Sequence, residues 1–228
     1  MSFPDLGSIV PAVIGFFSGW ATSELTEAGK RRRARGALRQ ALLVELERTE
    51  VRMNTAVTKY AYLANTPQQV ARVASEARWF IRIGIHRAPG ANVAVPEGFE
   101  GNADRLCSLP DQNIVALFAR RVRETVGNAY LCPVLDSALA GSLQGFSVEQ
   151  IQALSELRSQ IHMLGQEAEW TQEMWRQTFT VSDPENYARV MANHENRVQA
   201  YALRAEVVLD CARAAISAFG GEVKYPVA

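Results

Sequence analysis

Apolar residues recur every three or four positions along most of the chain, and short breaks rich in proline, glycine and polar residues separate these stretches. This period places the apolar residues on one face of an α-helix, whereas the alternation typical of strands is nearly absent. In the first long stretch the stripe consists of Leu38, Leu42, Leu46, Thr49, Met53, Val57, Tyr60 and Leu63. The charged residues Arg39, Glu47, Glu50 and Lys59 lie off this stripe.

Cap and break signals divide the rest of the chain. Thr66 with Gln69, and Ser147 with Gln150, are capping-box patterns that begin the second helix (67–83) and the fourth. Pro133 kinks or splits the third helix, which starts at Ser108. The last helix follows the segment 182–185 and ends at 220–221. Long helices with short turns predict an all-α antiparallel bundle of four or five helices over 41–221, with an irregular loop at 84–109 and a tail at 222–228.

The N-terminal stretch from Leu6 to Ser23 contains eighteen residues and no charge. At about 1.5 Å per residue it forms a helix of roughly 27 Å, near the thickness of the hydrocarbon core of a bilayer. We therefore predict a transmembrane anchor at 1–28. An interfacial helix and a core helix of a soluble protein remain alternatives, since the stretch is short and only moderately apolar.

A basic segment at 29–40 follows this stretch. Its cations are Lys30, Arg31, Arg32, Arg33, Arg35 and Arg39. Lysine and arginine beside a span favour the cytoplasmic side, which predicts an inner or plasma membrane protein with its N-terminus outside and its bundle in the cytoplasm. The same cations are expected to contact anionic lipid head groups.

Small residues at four-residue spacing follow one line of the predicted span. Gly15 and Gly19 form a GxxxG pair, and Ser23 continues the line. Such a line allows two helices to approach closely in lipid, so a homo-oligomer is expected. Small residues without a partner explain the pattern equally well.

The charged residues balance over the whole chain and are unbalanced only in short segments. The chain has 228 residues, and its 24 basic and 24 acidic residues cancel. No general attraction to nucleic acid follows, although the basic segment and a second group at Arg120, Arg121 and Arg123 leave that alternative open. Three widely spaced cysteines argue against a disulfide framework.

The sequence contains no recognisable catalytic or metal-binding motif. There is no HExxH, GxSxG, GxxxxGK or GxGxxG, and no histidine has a glutamate three residues before it. We therefore predict no enzymatic activity, no cofactor and no metal. The layout of a short anchor, an arginine-rich flank and a long helix resembles that of many small bacterial membrane proteins, a resemblance of architecture that implies no site residues.

A few polar and aromatic residues are candidates for binding. His194 lies on the apolar stripe of the last helix and is predicted to be a buried polar residue. Glu169 and Glu173 share a helix face, which is more typical of a solvated surface than of a paired-carboxylate site. The remaining candidates resemble an aromatic binding wall, although helical spacing is also typical of a core: Trp170, Trp175, Tyr187 and Tyr201.

Three functions are consistent with these features. The first is a membrane-anchored scaffold whose cytoplasmic bundle binds an unknown protein partner. The second is a membrane-perturbing or pore-forming effector that oligomerises through its glycine-containing span. The third is a soluble helical protein that binds nucleic acid.

Overall fold

The computed structural model describes residues 6–84, 102–119, 132–141 and 145–221, and for 6–25, 28, 83 and 84 it describes the backbone alone. All regular structure in these ranges is helical, so the all-α prediction is confirmed. There are seven α-helices in them: α1 Leu6–Lys59, α2 Pro67–Trp79, α3 Ala103–Cys107, α4 Asp111–Phe118, α5 Pro133–Ala140, α6 Val148–Thr178 and α7 Pro184–Ala218. A 3-10 turn, Ala61–Leu63, follows α1, and a π-helical turn, Phe80–Gly84, follows α2.

The chain divides into two compact units, residues 1–41 and 42–228. In the first unit α1 continues as helix through Gly29 and Gly36, although glycine weakens a helix interior by roughly 1 kcal/mol. Apart from the adjoining residues and backbone of α1 itself, no described atom lies within 4 Å of the position that a Cβ would take at either glycine. Every described side chain from Thr26 to Ala37 is exposed.

The predicted transmembrane helix is unsupported. No helix in the part of the chain that the structure describes is long and apolar enough to cross a membrane. Seven of the eighteen residues from Leu6 to Ser23 are glycine, serine or threonine, which dilute the apolar surface that insertion requires. The backbone at Gly15, Gly19 and Ser23 is helical, but their side-chain contacts lie outside the described features, so self-association through them stays a prediction.

The second unit has the predicted stripe of α1 in its core. Leu42, Leu46, Met53, Val57 and Tyr60 are all buried. The buried arc is wider than one stripe, because Glu50, Val51 and Asn54 are buried as well. The sequence interpretation that left Glu50 off the buried face is therefore wrong.

Helices α6 and α7 form an antiparallel hairpin. Gln150, at the start of α6, donates from Nε2 to the carbonyl oxygen of Ala218 at the end of α7 (3.0 Å). Near the other end, the rings of Trp175 and His194 have centroids 5.2 Å apart. The turn between the helices is only five residues long, 179–183, as expected for antiparallel neighbours.

Local sequence signals set the helix ends as predicted. The side chains of Thr66 and Ser147 accept from the backbone N–H of Gln69 and Gln150, and both capping boxes are complete. Gly220 has a φ of 72°, a conformation that glycine adopts without strain, and it follows the end of α7. Its neighbour Gly221 donates to the carbonyl oxygen of Ile216 (2.9 Å).

The predicted third helix, which was to run from Ser108 through Pro133, is described only in part, because α4 ends at Phe118 and residues 120–131 lie outside the described ranges. Pro133 begins the next described helix. It is the first residue of α5, where its missing N–H removes no helical hydrogen bond. The carboxylate of Glu45 on α1 accepts from the backbone N–H of Val134 (3.1 Å) and Leu135 (2.7 Å), which satisfies free donors at this helix start.

The predicted irregular loop at 84–109 contains the short helix α3 near its end, which corrects part of that prediction. Arg78 of α2 holds this region. Its guanidinium donates to the carbonyl oxygens of Cys107 (3.0 Å) and Leu109 (2.9 Å) and to the carboxylate of Asp111 (2.7 Å). Residues 85–101 lie outside the described ranges.

We predict that Ser147→Ala lowers the free energy of unfolding by about 1 kcal/mol, because it leaves a backbone donor at the start of α6 without its cap. Ser155→Ala, an exposed substitution inside the same helix, is the matched control and should cost nothing, since alanine is the better helix former. Urea denaturation of both variants checks this. Equal losses in the two would contradict the role of the cap.

Candidate functional site: a buried charge cluster and two exposed surfaces

Three helices of the second unit meet at a group of buried polar side chains, which we call the buried charge cluster: Glu50 and Asn54 of α1, Glu76 of α2 and Arg213 of α7. None of the four is more than 2% exposed. Arg213 donates to both carboxylate oxygens of Glu76 (2.8 Å each) and to Glu50 (3.0 Å). Asn54 donates from Nδ2 to Glu76 Oε2 (2.7 Å).

The guanidinium and the two carboxylates of this cluster pair with one another, whereas Asn54 Oδ1 has no hydrogen-bond partner among the described residues. The guanidinium of Arg213 also lies 5.5 Å from the ring centroid of Trp79. Burial lowers the pKa of Arg213, but the hydrogen bonds and charges of Glu76 and Glu50 outweigh burial and raise it. Each carboxylate thus has a permanent cation beside it, so neither is placed as a free acid or base.

The rim of the cluster is more polar and partly exposed. Arg72 Nε lies 3.5 Å from Glu76, and its terminal nitrogen bonds Asp210 at 2.5 Å. Burial raises the pKa of the nearby Glu206, the charges of Asp210 and Glu76 add to that effect, and the charge of Arg72 opposes it. Among the described residues no group of three or more His, Cys, Asp or Glu side chains is placed to hold a metal ion.

Sequence reasoning missed the cluster, although a signal was present. Glu50 lies four residues after Leu46 and three before Met53, and both of these residues are buried. Arg213 likewise lies between Leu209 and Ile216 at helical spacing. A charged residue that keeps the apolar period of its helix lies on the buried face and needs a buried partner.

A hollow of 510 Å³ beside α6 does not resemble an active site. It opens to solvent along α6, where Ser155, Arg158, Ser159 and His162 line it with Leu139 of α5. Arg158 is bound to Asp136 (2.8 Å), and both side chains are more than half exposed. His162 contacts Gln166 (3.4 Å), and among the described residues no hydrogen bond joins it to Ser155 or Ser159 as a base would need to activate a serine.

His194 lies inside the α6–α7 hairpin and is 7% exposed. Burial lowers the pKa of its imidazole, while a hydrogen bond with the backbone of Thr171 and the charge of Glu195 oppose the shift. Its Nδ1 has no hydrogen-bond partner among the described residues. The imidazole therefore favours its neutral form in the folded chain.

The end of this hairpin, residues 167–197, is the first exposed surface, which we call the hairpin tip. Only four of its residues are buried: Ala168, Thr171, Thr178 and His194. Three aromatic side chains are open to solvent, Trp170 at 49%, Phe179 at 73% and Tyr187 at 45%. Six acidic residues and three arginines give the tip a formal charge of −3 with His194 neutral.

The aromatic wall predicted from sequence thus divides. Tyr201 is buried and packs edge-to-face against Tyr60, with ring centroids 5.8 Å apart. Trp170 and Tyr187 are exposed on the tip, and Trp175 is half-buried against Phe179 with ring centroids 5.3 Å apart. Part of the wall is therefore core, and part of it is surface.

The second exposed surface is residues 26–41 of α1, which contain the predicted basic segment of 29–40, and from here on we use the name basic segment for 26–41. Its six cations, Lys30, Arg31, Arg32, Arg33, Arg35 and Arg39, are all exposed, and Glu27 is its one acid. Arg31 pairs with Glu27 at 3.1 Å, and both side chains are more than half exposed. Successive residues of an α-helix are rotated by about 100° around its axis, so the four cations at 30–33 lie on all sides of the helix. The second basic group, Arg120, Arg121 and Arg123, lies outside the described residues.

No protein-family model matches this sequence, and no curated protein or solved structure is significantly similar to it.

We predict that Arg213→Met destabilises the protein by about 3–5 kcal/mol, because it leaves two buried carboxylates without their cation. Arg158→Met breaks an exposed pair and should cost less than about 1 kcal/mol. Equilibrium unfolding in urea measures both. Similar small losses would show that the cluster is hydrated rather than buried.

We also predict a pH dependence of stability from His194. The folded-state pKa lies below the ordinary value of 6.5, so the unfolded chain takes up this proton first as the pH falls. The contribution of neutral His194 to the free energy of unfolding is therefore fully present above about pH 6.5 and declines below that pH. His194→Gln should flatten the slope of the unfolding free energy just below pH 6.5, and a slope that stays unchanged in this variant would contradict the role of His194.

Proposed function

We propose that this protein is a non-catalytic helical interaction module that attaches to anionic membrane surfaces through its basic segment. The observation that carries the proposal is the exposure of all six cations on one continuous helix. A cation near an anionic bilayer contributes about 1 kcal/mol, so six together give substantial, salt-dependent attraction. A crossing helix is not part of this proposal, and neither is the N-out orientation that depended on it.

The absence of an assembled reaction centre in the described residues supports a binding role. Their most buried ionisable groups are committed to one another in the buried charge cluster. The charged and aromatic side chains that can contact a partner lie on the surface instead, in the basic segment and on the acidic, aromatic hairpin tip. Surfaces of this kind are suited to recognition rather than to proton transfer.

The test is flotation of the purified full-length protein with vesicles of phosphatidylcholine alone or mixed with phosphatidylserine. We expect binding to the anionic vesicles only, and its loss at about 0.5 M salt, where the Debye length is only a few ångströms. Reversing four cations with Lys30→Glu, Arg32→Glu, Arg33→Glu and Arg35→Glu should weaken binding by about 100-fold or more.

The matched control reverses four exposed arginines elsewhere: Arg48→Glu, Arg105→Glu, Arg158→Glu and Arg189→Glu. It changes the net charge equally and should float like the original chain. Equal binding to neutral vesicles would refute an electrostatic attachment. Retention of RNA or DNA without any flotation would favour the nucleic-acid alternative, since phosphates attract the same cations.

A further inference from the structure

An arginine that stacks on an aromatic ring while it pairs with a carboxylate occurs twice among the described residues. Arg213 lies over Trp79 and binds Glu50 and Glu76. On the tip, the guanidinium of Arg197 lies 4.9 Å from the ring centroid of Trp170, and its terminal nitrogen lies 3.6 Å from Glu167. Planar guanidinium suits this double contact because it can stack and donate hydrogen bonds together.

The hairpin tip offers further aromatic and carboxylate groups of the same kind. Phe179 is the most exposed large apolar side chain described, and Tyr187 is nearly half exposed. Glu169, Glu185 and Glu195 are exposed on the same end of the hairpin. With only two helices there, exposed aromatic rings have no third element against which to pack among the described residues. The tip therefore fits an arginine-rich helix.

The charge of the hairpin tip decides which helix of a second copy can bind it. A second tip is excluded, because two surfaces of −3 repel each other. The basic segment has a formal charge of +5 and contains five arginines. Its charged stretch, residues 30–39, is about 15 Å long, and the part of α6 that belongs to the tip, residues 167–178, is about 18 Å long. Between its cations lie the exposed small residues Ala34, Gly36 and Ala37, which allow bulky rings to approach the helix closely.

We propose that the hairpin tip of one copy binds the basic segment of a second copy. Arginines of the segment stack on Phe179 and Tyr187 and pair with the surrounding carboxylates. The contact joins two different surfaces, so it either closes as a reciprocal pair, in which each copy gives one segment and one tip, or continues as a chain. The contact forms without lipid and does not rest on the proposed membrane attachment.

The experiment uses two complementary charge-reversed chains and measures mass by sedimentation velocity at about 0.05 M salt, where surface charges are weakly screened. The tip variant carries Glu169→Lys, Glu173→Lys and Glu195→Lys, which changes the tip from −3 to +3. The segment variant carries Lys30→Glu, Arg32→Glu, Arg33→Glu and Arg35→Glu, which changes the segment from +5 to −3. We expect the unmodified protein to self-associate and each variant alone to be monomeric.

An equimolar mixture of the two variants is the decisive sample. In this mixture the tip of each variant and the segment of the other variant have opposite charges, so association should return. The restored association should disappear at about 0.5 M salt. A mixture that stays monomeric would overturn the proposal. A contact that formed only within one chain would give the same monomeric result. A monomeric unmodified protein at low salt would overturn it too.

Two controls separate docking from general charge effects. Asp104→Lys, Glu149→Lys and Glu156→Lys reverse three exposed acids outside the tip and should leave self-association intact. Phe179→Ala with Tyr187→Ala keeps every charge and should weaken association by at least about tenfold, the equivalent of 1.4 kcal/mol. No effect of the aromatic pair would contradict stacking at the tip. No vesicles are present, so this outcome is independent of flotation.

Discussion

The structure of the second unit depends on the bidentate contact between Arg213 and Glu76, with Glu50 as a second acceptor. Three charges lie together without solvent contact, so each must be paired where it lies, and this fixes how α1, α2 and α7 can align. A shift of one helix by a single turn, about 5.4 Å, would separate the guanidinium from its acceptors. Apolar packing alone would tolerate such a shift more readily. The cluster thus selects one register among several that the stripes permit.

Helix type and helix ends were predictable because they are local properties. The capping boxes at Thr66 and Ser147, the helix start at Pro133 and the glycine ending of α7 each depend on a few neighbouring residues. Burial of Glu50 was predictable in principle, since it keeps the period of Leu46 and Met53. Its partner was not, because Arg213 is 163 residues away and a period determines a face rather than a contact. The same limit applies to Glu45, which caps a helix 90 residues later.

The two exposed surfaces show where sequence patterns stop being informative. Tyr201 and Tyr187 both lie on α7 at helical spacing from other apolar residues, yet one is in the core and the other is open. What separates them is a third element, because Tyr60, which directly follows the end of α1, packs against Tyr201. At the tip only α6 and α7 are present among the described residues. Helical spacing identifies the apolar face of a helix, and the tertiary arrangement decides whether anything covers it.

The basic segment is the common element of both proposals, and this has a consequence for the protein. An arginine that stacks on Phe179 and pairs with a tip carboxylate cannot also lie among lipid phosphates, so the two bound states exclude each other. Anionic membrane would then compete with self-association by mass action, and each copy that attaches leaves one hairpin tip unoccupied. The freed tip keeps its aromatic rings and its charge of −3, and so remains able to bind another basic helix. If both proposals hold, attachment to a surface and presentation of the tip are coupled through the same few cations, without any rearrangement of the buried charge cluster.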